Sequence, residues 1–180
     1  GVSSMAPQLA GKRLEMLKQA DPTTARVGTI FNDRRPAMAH ENNETLAAAQ
    51  TLGIELESIG VRGPEDVDGA FQAAMGKQLD ALVVIADPLI TDSRDRLVEL
   101  STKTRLPTIS GDAMFAAAGG LMSYGPNLPR QAERAAYYVD RILKGTKPAD
   151  LPVEQPTTFD FWVNLKTARA IGHEIPLSIL

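Results

Sequence analysis

Ala81–Leu89 reads ALVVIADPL, an unbroken apolar run closed by Asp87-Pro88. A short run rich in Val and Ile and bounded by turn residues has the pattern of a strand covered on both faces. Arg26–Asn32, RVGTIFN, has the same shape and ends as abruptly, at Asn32-Asp33. Two helical patterns and a third strand, Ile54–Val61, lie between them. That strand alternates apolar and polar residues, so one face meets water and it belongs at the sheet edge, beside the first strand. Strands alternating with helices predict right-handed crossovers and a parallel sheet. Ligands of such sheets gather beyond the carboxyl ends of the strands, where the strand order reverses. Asn32 and Asp87 fall at two of those ends.

The rest of the chain keeps this punctuation. Leu9–Ala20 carries Leu9, Leu14 and Leu17 at helical spacing and stops before Asp21-Pro22. Asn32-Asp33-Arg34-Arg35-Pro36 is a turn that feeds a helix, since proline suits a first helical turn. Leu46, Ala49 and Leu52 are that helix's expected buried stripe, and Gly53 its stop. Gly63-Pro64-Glu65-Asp66 opens another helix, with Val67, Ala70, Phe71 and Ala74 inward. Thr91–Arg105 reads as one helix, Leu106–Ser110 as a fourth strand, Ala113–Ala118 as a short helix and Leu121–Tyr124 as a fifth strand. Pro129–Lys144 has the cleanest amphipathic stripe, Ala132, Ala135, Ala136, Val139, Ile142 and Leu143. Pro148, Pro152 and Pro156 make Thr146–Thr158 an extended connector. Phe159–Val163 alternates as a last strand, and Lys166–Gly172 is a closing helix. The expected fold is a three-layer α/β/α lobe with a mainly parallel sheet in the flavodoxin-like order 2-1-3-4-5.

Composition narrows the function. The chain has 180 residues, 43% hydrophobic and 23% charged, which is ordinary globular material sized for one domain or slightly more. A net charge of −3 with scattered Lys and Arg argues against a nucleic-acid partner. No apolar run approaches the ~20 residues that span a bilayer. The absence of cysteine excludes disulfides, thiolate zinc sites and cysteine nucleophiles. His40 and His173 lack the spaced partners of a metal site, and no nucleophile–base–orienter set is evident. Gly69…Gly76-Lys77 has the wrong spacing for a phosphate loop, and no Ser or Thr follows it. A non-catalytic protein without a metal or cofactor is expected.

LAGKRLEMLK, RVGTIFN, VRGPEDVDGAF, DALVVIADPL, LPTISGD, AGGLMSYGPN, YVDRILKGTKPADLPVEQPT and NLKTARAIG together resemble the ABC-transporter substrate-binding family. Some of its members are tryptophan- or tyrosine-binding lipoproteins. The resemblance covers nearly the whole chain and implies the type I periplasmic-binding fold, in which two α/β lobes joined by three crossovers hold a solute between them. Family members are longer, so the resemblance sets Gly1–Ser4 at the first crossover. Residues 1–125 plus 158–180 then correspond to the C-terminal lobe. Residues 126–157 correspond to a helix and connector that pack on the other lobe in longer members. It also implies hinge positions at Ser3, Ser4, Gly125 and Thr158, an ABC permease as partner of the full-length protein, and a periplasmic or lipid-anchored extracytoplasmic location. The stripe of Pro129–Lys144 is expected to dock onto a second copy of the chain or onto an otherwise covered face.

Five residues are candidates for ligand contact: Asn32, Asp87, Ser110, Asp112 and Tyr124. They come from different strand ends and are expected along one rim, as convergent polar groups that orient a small molecule. Asp87 suits an amine, Asn32 and Ser110 a carboxylate or hydroxyl, and Tyr124 or Phe115 a stacking face. The plainer reading is that Asn and Asp at strand ends make turns and cap helices. Asp112 in particular suits the N-cap of the helix at Ala113. Trp162 is expected to pack in the core. The resulting function is solute binding for an ABC importer, with a small polar or amino-acid-like molecule, aromatic ones included, in an interlobe cleft. Two alternatives stay open: a flavodoxin-like nucleotide- or phosphate-binding enzyme domain using Arg34 and Arg35, and the effector lobe of a transcriptional regulator.

Overall fold

The computed structural model describes residues 1–180. Its six strands are β1 (Arg26–Asn32), β2 (Glu55–Val61), β3 (Ala81–Val84), β4 (Thr108–Ser110), β5 (Met122–Pro126) and β6 (Phe159–Val163). They form one sheet in the order β2-β1-β3-β4-β5-β6. The first five are mutually parallel, and β6 runs antiparallel beside β5. The expected order 2-1-3-4-5 therefore holds, extended by one strand. Its apolar runs dictate the centre: Val27, Ile30, Leu82, Val83 and Val84 are fully buried. Each such side chain contributes about 1.5–3 kcal/mol of burial, so a register slip would cost many of them at once. β2 sits at the edge as expected, but neither face is wholly open: Leu56 packs on one core, and Ile59 and Val61 on the other.

Eight helices cover the sheet: α1 (Ala10–Ala20), α2 (Pro36–Leu52), α3 (Asp66–Gly76), α4 (Pro88–Asp92), α5 (Arg94–Thr104), α6 (Ala113–Ala117), α7 (Leu128–Leu143) and α8 (Leu165–Ile171). Leu14, Leu17, Ala49, Ala168 and Ile171 of α1, α2 and α8 build one core with Val27, Val83 and Ile109. Phe71, Ile90, Leu97 and Phe115 of α3 to α6 build the other with Ile30, Leu82 and Val84. The three-layer lobe follows from these two faces.

Several elements differ from the sequence pattern. The single helix expected at Thr91–Arg105 is two helices broken at Ser93, because Asp87 caps a turn that starts already at Pro88. On α2, Leu46 and Leu52 are only half-buried, and the buried face is largely polar: Glu41, Asn42 and Thr45 lie beside Ala49. Asn42 Oδ1 accepts from the Thr29 hydroxyl, and Asn42 Nδ2 donates to Ser58 Oγ at 2.9 Å, which pins α2 to β1 and β2. Trp162 is 55% exposed rather than packed in the core, since β6 is an edge strand.

The chain leaves the sheet at Pro126 and returns at Phe159, its register partner. The intervening α7 is held to the connector. The Tyr138 hydroxyl donates to the Pro152 carbonyl at 2.8 Å, and Arg134 Nε to Glu154 at 2.7 Å. Val2 bridges Glu154, and Gln131 Nε2 donates to the Ser3 carbonyl at 3.0 Å. Of the two expected partners of the α7 stripe, a second copy of the chain or a covered face, the covered face is not found within the chain. Tyr138 is buried against the connector, but Val139 and Leu143 are 55% and 82% exposed.

Candidate functional site

The tips of β1 and β3 meet at the point where the strand order turns back on itself. Asn32 Nδ2 donates to Asp87 Oδ2 at 2.8 Å, and both side chains are buried. Each also shapes its own turn. Asn32 Oδ1 accepts from the Arg34 amide at 3.1 Å, and Asp87 Oδ1 accepts from the Ile90 amide at 3.0 Å, capping α4. Arg35 Nη1 stands 3.6 Å from Asp87 Oδ2 and is half-exposed, so it balances the buried carboxylate from the solvent side. These bonds are the turn and cap that the plainer reading of Asn32 and Asp87 expects.

A second constellation sits at the tip of β4. Ser110 Oγ accepts from the Asp112 amide at 3.3 Å, and Asp112 Oδ1 accepts from the Met114 amide at 2.9 Å, capping α6. Arg94 Nη1 lies 3.9 Å from Asp112 Oδ2. Ser110, Asp112, Arg94, Thr91 and Phe115 line a crevice of about 10 Å³, about the room one water needs. Ser123 on β5 is the register partner of Ser110, and its hydroxyl is buried without a partner. Tyr124 stands apart from this group. Its ring packs toward the opposite core, 6.0 Å from Phe159 and 6.5 Å from Phe161. Its contribution at the tip is the backbone carbonyl, which accepts from Arg13 Nε at 3.0 Å.

A cavity of about 510 Å³ lies elsewhere, between α7, the connector and the start of the chain. Ser3 and Thr158 line it, while Ser4 is exposed. Gly125 is inside β5, paired with Asp160 and pressed against Gly111; a Cβ there would fall on the Gly111 carbonyl oxygen. At the sheet edge Asp33 pairs with Arg62 at 3.0 Å, and that hydrogen bond holds the Asp33 carboxyl below its ordinary value.

Arg94 and Arg35 are the tip residues that sequence spacing passed over or assigned to phosphate. Arg94 sits in a charged run, SRDR, that reads as a solvated helix face. Only the helix break at Ser93 turns it toward the crevice.

The family model described as ABC transporter substrate binding protein matches residues 1–180. The chain belongs to this family. Solved structures share its fold. A conserved domain protein from Vibrio cholerae O1 biovar eltor superposes with a TM-score of 0.91 at 21% identity, over 99% of this chain and 60% of that one. An ABC domain from Streptococcus pneumonia in complex with L-Trp gives 0.85 at 23% identity, again over 99% and 60%. A ligand-free, open substrate binding protein from Clostridium difficile gives 0.71 at 24% identity, over 91% and 55%. The chain therefore spans about 60% of the length of the first two. No curated protein matches it. The family is one of substrate-binding proteins. No helix is long and apolar enough to cross a membrane.

Proposed function

We propose that the chain acts as one lobe of a solute-binding component of an ABC importer, and that its ligand lies at the tips of β1, β3 and β4. The observation that carries this reading is the Asn32–Asp87 hydrogen bond at the switch point of a parallel sheet, where clefts of such folds take their ligands. Asn32, Asp87, Ser110 and Asp112 supply donors and acceptors for a small polar or amino-acid-like molecule. Tyr124 acts through its backbone. Residues 1–125 and 158–180 form the lobe, and residues 126–157 pack on a second lobe, which agrees with the uncovered stripe of α7. Ser3, Ser4, Gly125 and Thr158 mark where the crossovers pass. Closure of the two lobes on the solute then presents a surface to an extracytoplasmic face of the permease.

A lobe alone keeps only part of the contacts that bury a solute, so its affinity should be weak. Native mass spectrometry of the full-length protein, purified without refolding, tests the reading: a co-purifying small molecule is expected, released by Asp87→Ala. A bare protein that binds nothing from an amino-acid panel would sink it. The chain's Arg34 and Arg35 offer a phosphate-binding alternative, and LacI family regulators share the fold, at 12% identity for one from Bifidobacterium animalis subsp. lactis. Arg35 already faces Asp87, which leaves it poorly placed to hold a phosphate.

A further inference from the structure

Arg13 is the largest of the fully buried side chains, and the solute-binding reading leaves it unused. It points from α1 toward the ends of β4 and β5, and its guanidinium is engaged on three sides. Nη1 donates to Glu41 on α2 at 2.5 Å, and Nε donates to the Tyr124 carbonyl on β5 at 3.0 Å. Nη2 lies against Gly111, where a Cβ would come within 2.7 Å of it. On its other side Gly111 turns its carbonyl to Gly125, so closely that a Cβ on Gly125 would fall on the oxygen. The middle of the Ser110–Asp112 turn is therefore wedged between a guanidinium and the neighbouring strand.

The two tips of the candidate site differ in how they are held. Asn32 and Asp87 hydrogen-bond to each other across two strands. Ser110 and Asp112 have no such cross-link. Their side-chain hydrogen bonds go to amides of their own turn and of α6. What ties this turn to the rest of the lobe, apart from the β4 ladder, is the wedge at Gly111. A buried ion pair gains little over apolar side chains of the same volume, so Arg13 and Glu41 are a poor choice for stability alone. A guanidinium supplies direction instead, because its donors leave a rigid planar fork at fixed angles. Direction matters at a polar site, where a looseness of about 1 Å in the supporting residues spoils the geometry.

We propose that Arg13 is a positioning residue of the candidate site. It does not reach a solute; it fixes the Ser110–Asp112 turn from beneath by holding Glu41, the Tyr124 carbonyl and Gly111 at once. The assignment rests on the solute-binding reading for what the turn serves, and the grip on the turn is tested separately. Hydrogen exchange, read amide by amide, compares the parent chain with Arg13→Met plus Glu41→Leu and with Arg13→Lys. The double variant strands no charge, and Arg13→Lys keeps a charge for Glu41 without the fork. In both, the amides of Asp112 and Phe115, which donate to Ser110 Oγ and the Asp112 carbonyl, should exchange faster. The gain in the double variant should be at least about tenfold, as for the loss of one hydrogen bond from a charged donor. Leu82 and Ile85 in the sheet, and Ile90 at the other tip, should keep the parent rate. A merely structural role would speed all five amides together. In the full-length protein, native mass spectrometry should find the double variant carrying at most about a tenth of the parent's co-purifying small molecule.

Unchanged exchange at Asp112 and Phe115, or equal acceleration at all five amides, would overturn the positioning role and leave the solute-binding reading intact. A loosened turn with the co-purifying molecule undiminished would overturn the part of Arg13 in the site. A parent that carries no small molecule would sink the solute-binding reading, and exchange would still decide the grip on the turn. Should the double variant fail to fold, Arg13→Lys decides by the same amides.

Discussion

Arg13 Nη1 lies 2.5 Å from Glu41 Oε1, with both side chains almost wholly buried between α1 and α2. The same guanidinium donates from Nε to the Tyr124 carbonyl and lies against Gly111, where a Cβ would meet it. One buried cation therefore ties two helices to the ends of β4 and β5. Such pairs gain little over an apolar replacement, but removing one partner strands a charge in a poorly solvated place. Arg13→Met should cost about 3–5 kcal/mol in urea denaturation. Arg13→Met with Glu41→Leu should recover most of that loss. A single variant no less stable than the double would show that water reaches Glu41.

Gly125 and Gly69 make a contrast in the same residue type. Gly125→Ala drives a methyl into the Gly111 carbonyl and should destabilise by about 1–3 kcal/mol. Gly69 lies within α3 with open space around it, so Gly69→Ala should stabilise by about 0.5–1 kcal/mol. Chemical denaturation of the two variants side by side checks both signs.

Asp87 holds Asn32 and caps α4, so its substitutions should rank by what they keep. Asp87→Ala loses the cap and leaves the buried Asn32 amide unpaired, for about 1–3 kcal/mol. Asp87→Asn keeps an oxygen for the Ile90 amide and should fall between that variant and the parent. Thermal melts give the order. Equal losses would mean that the link to Asn32, not the cap, dominates.

Acid should loosen the connector. The hydrogen bond from Arg134 holds the Glu154 carboxyl below its ordinary value of 4.5. A carboxyl depressed in the folded state contributes stability that is complete above its unfolded value and fades as pH falls through the folded one. Amide protection at Glu154 and Ser3, which donate to Gly1 and Glu154 carbonyls, should hold above pH 4.5 and drop below it, after correction for intrinsic exchange. In Arg134→Met the main cause of the depression is gone, so the drop should largely flatten. An unchanged profile in that variant would remove Arg134 as the cause.

Much of this fold was written in its punctuation. Val- and Ile-rich runs ending in Asn32-Asp33 and Asp87-Pro88 identify two adjacent central strands, and Gly53 adopts the left-handed stop expected of it. The candidate site was legible where a residue's role is local: Asn32, Asp87 and Asp112 sit at turns and caps that spacing reveals. It was not legible where partners lie far apart in sequence. Arg13 and Glu41 are 28 residues apart, and each alone looks like a solvated helical charge. The ring of Tyr124 points away from Ser110 because strand residues alternate faces, which a list of strand ends does not resolve. Trp162 misled for a different reason: aromatic character predicts burial, but an edge strand has no neighbour to provide it.

The pairing of Pro126 with Phe159 makes everything from Asn127 to Thr158 an excursion from a single hairpin stem. Closing a flexible loop costs only about 0.6 kcal/mol more for each doubling of its length, so the stem barely registers how much chain departs from it. The sheet thereby closes without any strand from the α7 arm. A two-residue turn grafted between β5 and β6 would leave the tip residues in place, and the arm is free to answer to whatever it leans on.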